Sequence, residues 1–377
     1  MSDWSPQQDG ALTAVAAWLR DRSAPQVFRL FGYAGTGKTT LAKEIAGQVK
    51  GRVLFATFTG KASLVLRSKG CEDASTIHSL IYKVEVDERT GEAKFELDTH
   101  SALADAKLLI VDEVSMVGLE LAKDLLSFGT RVLVLGDPAQ LPPVKDEGFF
   151  INADPDVMLT EVHRQARDNP IIRMSMDVRE GRRLQAGQFG ESRVIRKREI
   201  DQDECGALVL AADQVLCGMN RTRTLYNRRI RTLKDMVGKV EPWHPTEGDR
   251  LICLRNDRKA AIFNGSMWNA DDVAIKEGKS GLPHIVGVLS SLDEERDPIE
   301  ARILPQFFNG TEHEIDWRAR RGFHEFTFGW AITTHKAQGS QWDNVLIFDE
   351  SGAFRDAARN WLYTAITRAA EKVTVLL

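Results

Sequence analysis

Short apolar runs recur through the first part of the chain. Each ends in a polar or glycine-rich loop and is followed by a stretch with apolar residues at helical spacing. Val27-Phe28-Arg29-Leu30-Phe31, Val53-Leu54-Phe55-Ala56-Thr57, Leu108-Leu109-Ile110-Val111 and Val132-Leu133-Val134-Leu135 have the length and β-branched content of buried strands. Residues 11–20 and 39–49 have helical spacing, with Ser5 as N-cap and Pro6 at the first helical position of the former. Strands alternating with helices predict a mostly parallel sheet. Residues 1–155 are thus expected to form one α/β domain.

The rhythm changes twice. Lys83-Val84-Glu85-Val86-Asp87 and Ala93-Lys94-Phe95-Glu96-Leu97 alternate polar and apolar around the turn-rich Glu88-Arg89-Thr90-Gly91-Glu92. That predicts a β-hairpin over about 82–98, too short to fold alone and so projecting from the first domain. Between 248 and 324, short segments (250–254, 267–275, 285–289, 301–304) are split by Gly, Asn, Asp and Pro, which predicts a small barrel-like β insertion. Around it, residues 168–182 read as a helix, Ala207-Leu208-Val209-Leu210 and Gln214-Val215-Leu216-Cys217 as strands, and 220–231 as a basic helix. The α/β texture returns at Phe326, with a strand and short helix over 331–340, a strand at 344–348, a helix over 361–369 and a last strand over 372–377. Residues 156–247 and 325–377 are therefore expected to form a second α/β domain, interrupted by the insertion at 248–324.

The first run ends in Gly32-Tyr33-Ala34-Gly35-Thr36-Gly37-Lys38-Thr39, which fits G-x-x-x-x-G-K-[ST] between a strand and a helix. Glycines let backbone N–H groups curl around a polyphosphate, and the helix N-terminus adds partial positive charge. Lys38 reaches toward the β- and γ-phosphates, and the Thr39 hydroxyl suits Mg²⁺. Asp112 and Glu113, two acids ending an apolar strand downstream of a P-loop, form the Walker B pattern: Asp112 for the metal, Glu113 to polarise a water. Gln140, in the loop after another buried strand, is placed to sense a γ-phosphate. Gln8, just ahead of the P-loop strand, is either an adenine reader or a surface glutamine. Gly60 and Lys61 follow a strand's carboxyl end, where open α/β sheets bind ligands.

Composition narrows the classes. The chain has 377 residues, 43% hydrophobic and 28% charged, enough for two or three globular domains. It has no apolar run of membrane-spanning length and no basic-then-apolar leader pattern at its start. Cys71, Cys205, Cys217 and Cys253 are scattered without a C-x-x-C, so neither a zinc site nor a disulfide framework is expected, and a reducing cytoplasm is the default. The net charge of −4 weighs mildly against nucleic acid, but local charge matters more than the sum. Residues 220–231 carry no acid and would set Arg221, Arg228 and Arg231 near one helix side, either a phosphate footprint or a solvated face. Asn256, Phe263 and Asn264 put two amides and a ring in loops that could stack on or bond to a single strand, or be ordinary loop residues. Arg164 and Arg368, in the second half, are candidate arginine fingers for a nucleotide held by the first.

The ordered set GYAGTGKTT (32–40), ATFTGKAS (56–63), STIHSL (75–80), LLIVDEVSM (108–116), LVLGDPAQLPPV (133–144), EVHRQ (161–165), ITTHKAQGSQWD (332–343) and LYTAITRA (362–369) resembles the motif series of superfamily 1 helicases, in the RecD-like and Dda-like branch, superfamily 1B. The resemblance runs from Gln8 to Arg368. It implies two RecA-like P-loop-type domains with parallel sheets, 1A and 2A, with the hairpin as domain 1B and the β insertion as an SH3-like domain 2B. It implies ATP and Mg²⁺ bound between the two domains: backbone groups of Gly35, Thr36, Gly37, Lys38, Thr39 and Thr40, with Gln8 and Gly339, around the nucleotide; Thr39 and Asp112 on the metal; Glu113 as base; and Gln140, Arg164 and Arg368 on the γ-phosphate. Thr59, Lys61, Thr76, His78, Thr333 and His335 resemble residues that track DNA, and Phe95 a residue that stacks at a duplex junction; Asn220, Asn256, Phe263 and Asn264 are further candidate DNA contacts. The implied activity is a DNA helicase moving 5′→3′ on single-stranded DNA in a bacterial or phage-infected cell, as a monomer, its partners single strands and single–double-strand junctions rather than membranes. No long region precedes the first motif, so the resemblance is to a minimal, Dda-sized member. A translocase that does not part strands, a nucleotide-gated binding module and a motor on RNA remain as alternatives.

Overall fold

The Ser-Pro start is realised in the computed structural model, which describes residues 4–86, 93–142, 148–162, 168–237, 241–257, 262–277, 283–316, 318–320 and 322–377. The Ser5 hydroxyl accepts the Gln8 N–H and the Gln8 side chain accepts the Ser5 N–H, a capping box that satisfies two orphan donors of α1 (Pro6–Arg20). The chain divides into two units, Met1–Glu180 and Gly181–Leu377.

The first unit continues with β1 (Val27–Gly32), α2 (Lys38–Gln48), β2 (Val53–Thr57), α3 (Gly60–Ser68), β3 (Ser75–Thr76), α4 (Ile77–Ile81), β4 (Tyr82–Val86), β5 (Ala93–Leu97), β6 (Leu108–Asp112), α5 (Leu119–Leu126), β7 (Val132–Gly136), β8 (Val157–Leu159) and α6 (Pro170–Arg179). Six strands form one parallel sheet in the order β3-β2-β6-β7-β1-β8. Leu30, Leu108, Ile110 and Leu133 pack against Ala11, Val15, Leu41 and Ile45 of α1 and α2. Leu109, Val111, Val132 and Val134, their alternates, pack against Ile77, Ile81, Leu121 and Leu125 of α4 and α5. Burial on both faces is why these strands read as unbroken apolar runs. Strands β4 and β5 pair antiparallel from Tyr82–Leu97 to Val86–Ala93. Their link and the Phe95 side chain lie outside the described residues.

The second unit holds β9 (Gly187–Phe189), β10 (Ser192–Ile195), α7 (Gln202–Ala211), β11 (Gln214–Cys217), α8 (Asn220–Leu233), β12 (Arg250–Cys253), β13 (Met267–Glu277), β14 (Pro283–Ser291), β15 (Ile299–Ile303), α9 (Gln306–Asn309), β16 (Phe326–Phe328), β17 (Ala331–Thr333), β18 (Trp342–Phe348), α10 (Ala358–Ile366) and β19 (Ala369–Leu376). One sheet runs β17-β11-β18-β19-β10-β9, parallel apart from the β9–β10 edge pair. The other is antiparallel, β15-β14-β13-β12-β16, around Trp268, Phe307, Phe308, Phe326 and Phe328. Among the described residues no helix is long and apolar enough to cross a membrane.

Several local expectations change. Ala207 to Leu210, read as a strand, lie in α7, which Asp201 caps by accepting the Glu204 N–H. Acids in its first turn suit the helix dipole, and a four-residue apolar run carries no period to tell helix from strand. The α/β texture does not return at Phe326, because β16 pairs with β12 and completes the antiparallel sheet. Thr333 is followed by turns rather than a short helix. Arg231 is not on an exposed basic face. Its side chain is 2% exposed, and Nε donates to both Asp249 oxygens at 2.9 and 3.1 Å. Its other N–H groups donate to the carbonyls of Pro242 and His244. Asp249 also accepts from the Trp330 indole and from Thr246. A charge pair is tolerable in the interior because every polar group in it is satisfied.

Removing one half of that pair strands the other. Asp249→Ala is expected to lower unfolding stability by about 3–5 kcal/mol in urea titration. Arg196→Ala, which loses an exposed partner in Glu199, should leave the midpoint nearly in place. Similar midpoints for the two variants would contradict the assignment.

Candidate functional site

The strand-to-helix turn after β1 is shaped by its glycines. Gly35 and Gly37 have φ of 78° and 80°, left-handed values that favour glycine. A Cβ on Gly32 would lie 2.7 Å from Thr36 Oγ1 and 2.9 Å from Leu159 Cβ, so only glycine fits there. Gly37 caps α2 with no side-chain bond, which leaves the first N–H groups of α2 to a ligand. Thr40 is exposed in that first turn. Lys38 Nζ donates to the carbonyls of Gly32 at 2.6 Å and Tyr33 at 3.1 Å.

Parallel pairing brings the end of β6 to this turn. Thr39 Oγ1 donates to Asp112 Oδ2 at 3.2 Å, and the Glu113 N–H donates to Asp112 Oδ1 at 2.8 Å. Glu113 has φ 55°, a left-handed conformation uncommon for a non-glycine residue, which is a mark of a functional turn. Burial, and then the Glu113 charge, push the Asp112 carboxyl above its ordinary range, while Lys38 opposes them. A hydroxyl and a carboxylate side by side beneath a phosphate-binding turn are a hard-oxygen pair suited to Mg²⁺.

Gln8 is 2% exposed, which excludes the surface alternative. Its Nε2 donates to the Thr36 carbonyl at 3.1 Å and ties the start of α1 to the P-loop. Thr36 in turn donates through Oγ1 to the Tyr33 carbonyl. Gln140 is largely buried in the turn after β7, where its N–H donates to the Asp137 carbonyl. Arg164 lies outside the described residues. Arg368, in the second unit, is 6% exposed; its guanidinium donates to the carbonyls of Thr364 and Ser340 and to Thr367 Oγ1. That seats it against the turn at Gly339, whose φ is 75°.

The expected strand-tracking residues fall into one group in each unit. In the first, Thr59 caps α3 by accepting the Ala62 N–H, with half-buried Lys61 in the same turn. Thr76 caps α4 by accepting the Ser79 N–H, and the His78 ring lies 5.9 Å from that of Phe58. In the second, Lys336 Nζ donates to Asn264 Oδ1 at 3.0 Å, the Asn264 N–H donates to Asn256 Oδ1 at 2.6 Å, and the Lys336 N–H donates to Thr333 Oγ1. Phe263 is half-buried beside them, and Asn220 is exposed at the first position of α8. Burial holds His335 below the ordinary imidazole value, so it is neutral at pH 7; its ring lies 5.6 Å from Phe354.

Two contacts had no signal in the sequence. The Arg179 guanidinium, at the end of α6, sits 3.7 Å over the Tyr33 ring of the P-loop. The Glu350 carboxylate accepts the N–H groups of Gly218 and Met219 and the Thr222 hydroxyl, holding the start of α8 where Asn220 stands. Each partner is distant in sequence and ordinary by itself.

Residues 4–198 match a family model described as an AAA domain, and residues 328–376 one described as a UvrD-like helicase C-terminal domain. The chain is 30% identical over 404 residues to the ATP-dependent RecD2 DNA helicase of Deinococcus radiodurans, covering 98% of this chain and 50% of that protein. It thus spans about half that relative's length. To the ATP-dependent DNA helicase dda of Enterobacteria phage T4 it is 35% identical over 166 residues, 40% of this chain and 37% of that one. The fold is similar to that of the crystal structure of Pif1 helicase from Candida albicans, with TM-score 0.55 and 17% identity over 100% of this chain and 94% of the other.

The raised Asp112 carboxyl binds its proton more tightly in the folded than in the unfolded state. Its ionisation therefore opposes folding as pH rises above the ordinary carboxylate range. Asp112→Asn should raise the thermal midpoint measured with chelator at pH 8, and the gain should shrink as pH falls toward that range. The same variant should lose Mg²⁺-dependent nucleotide binding. A lower midpoint at every pH would contradict the reading.

Proposed function

The chain belongs to the superfamily 1B helicases, and from that premise we propose that it is an ATP-driven motor that moves along single-stranded DNA and separates duplex strands. The observation that carries this reading is a shared edge. Thr39, in the first turn of α2 after β1, with Asp112 at the end of β6, and Thr59, Lys61 and Thr76 at or just past the ends of β2 and β3, stand on one side of a single parallel sheet. The strand that ends in Asp112, β6, pairs directly with β2, so a change at that carboxylate is one strand away from groups that can hold a nucleic-acid backbone. The relatives named as ATP-dependent DNA helicases support the same activity.

In this reading Lys38 and the N–H groups of residues 35–40 hold the phosphates, and Thr39 and Asp112 would hold Mg²⁺, which when bound would supply positive charge against the phosphates. Glu113 orients and deprotonates the attacking water. Gln140 and Arg164 report the γ-phosphate, and Arg368 stabilises charge developing on it. Gln8, buried and tied to the P-loop through the Thr36 carbonyl, reads the adenine. Thr59, Lys61, Thr76, His78, Asn220, Asn256, Phe263, Asn264, Thr333 and His335 hold the single strand, with His335 as a neutral hydrogen-bonding group. The hairpin over 82–98 is domain 1B, with Phe95 at the junction. Residues 1–155 form 1A, 156–247 and 325–377 form 2A, and 248–324 form an SH3-like 2B. Movement is 5′→3′, in the cytoplasm, by a monomer.

Forked duplexes with a 5′ or a 3′ single-stranded tail test it. The expected result is ATP-dependent strand displacement from the 5′-tailed fork alone. DNA-stimulated ATPase without displacement would leave a translocase, and ATPase indifferent to DNA would leave a nucleotide-gated module. Stimulation by RNA but not DNA would change the track. Lys38→Ala should fold normally and hydrolyse no ATP. Arg368→Ala should lower kcat by roughly 10³ with KM little changed; equal losses in both would remove the finger role.

A further inference from the structure

No linker separates α4 from the hairpin. The helix ends at Ile81, β4 begins at Tyr82, and the Tyr82 N–H donates to the His78 carbonyl to close the helix. Any rotation of α4 is therefore a rotation of the hairpin. Its base is held from three sides. Tyr82 pairs with Leu97 across the two strands. The Asp98 N–H donates to the Ile81 carbonyl, and the Ser101 hydroxyl to the Leu80 carbonyl. The Tyr82 hydroxyl donates to Asp124 Oδ2 on α5. Helix α5 follows the strand that ends in Asp112. The Tyr82 ring also lies 5.9 Å from the His78 ring. Burial and the Asp124 bond push the phenol above its ordinary value, so it remains a donor at working pH.

Tyr82, the first residue of the hairpin, thus connects it to two helices: α4, which carries a strand-tracking group, and α5, behind the strand that ends in Asp112. We propose that Tyr82 is a positioning residue for strand separation. Through Asp124 it sets the angle at which the hairpin leaves the first unit, and so where a duplex junction meets it. Its role is through Asp124 and the hairpin rather than as one of the groups assigned to the nucleotide or the tracked strand. This rests on the helicase reading and on the hairpin as the element that parts the strands.

The test compares fork unwinding with single-strand-stimulated ATPase in the full chain. Tyr82→Phe removes one hydroxyl and keeps the ring beside His78. It should slow unwinding about tenfold while ATPase stays within about twofold, because the loss falls on one step only. Asp124→Ala should behave alike, and the double variant should be no worse than either single, as for two halves of one contact. Asp124→Asn keeps an acceptor oxygen and should recover most of the unwinding. Amide exchange over residues 82–98 reads the same anchor without any unwinding, and should quicken in Tyr82→Phe. The proposal is overturned if unwinding and ATPase fall by one factor, if unwinding is unchanged, or if exchange is unchanged. A wild-type protein that hydrolyses ATP on single strands yet never opens a fork would instead sink the helicase reading. The exchange measurement would then still decide whether Tyr82 anchors the hairpin.

Discussion

The parallel run of strands in the first unit is the constraint on which its chemistry depends. Parallel neighbours need crossover connections, so helices cover both faces and the strand interiors become apolar throughout. Most polar and charged side chains then fall where strands end, Arg29 within β1 being an exception. Because all six strands point one way, those ends share an edge. The P-loop after β1, Asp112 and Glu113 after β6, Asp137 to Gln140 after β7, and Thr59 to Lys61 after β2 are drawn to one border by topology. The Thr39–Asp112 hydrogen bond follows from that convergence.

The second unit uses the same architecture with a different emphasis. Thr333 ends β17, Gly218 follows β11, and Glu350 lies just past β18, again along one edge of parallel strands. Here the carboxylate faces inward onto the start of α8 rather than toward a metal. The antiparallel sheet is joined to this unit by Asp249, which binds Arg231 of α8 on one side and Trp330, beside β17, on the other. An unsatisfied charge there would strain the junction of the two sheets. Four groups donate to Asp249, and they make the joint specific.

Much of this was legible because strand interiors and P-loop geometry are local properties. The runs at 27–31, 53–57 and 108–111 announce two-sided burial by themselves, and Gly35 and Gly37 announce left-handed turns. The four residues at 207–210 misled because so short an apolar run has no period, and the deciding feature was the Asp201 cap upstream. Arg231 misled because helical spacing assigns a side but not what the side faces; Asp249 decides that from eighteen residues away. Gln8 was undecided for a related reason, since its fate depends on the Thr36 carbonyl. Tyr33 with Arg179, Glu350 with Gly218, and Tyr82 with Asp124 are contacts between residues that are individually unremarkable. Only the folded chain pairs them.

The central claim is that phosphate chemistry and strand grip are coupled through one sheet edge. Linkage gives that claim a direct measurement: the affinity for a single-stranded oligonucleotide with and without a Mg²⁺-bound, non-hydrolysable ATP analogue, and the affinity for the analogue with and without the oligonucleotide. The account predicts that each ligand changes the other's Kd by the same factor, of roughly 5- to 150-fold. Two affinities that ignore one another would contradict it.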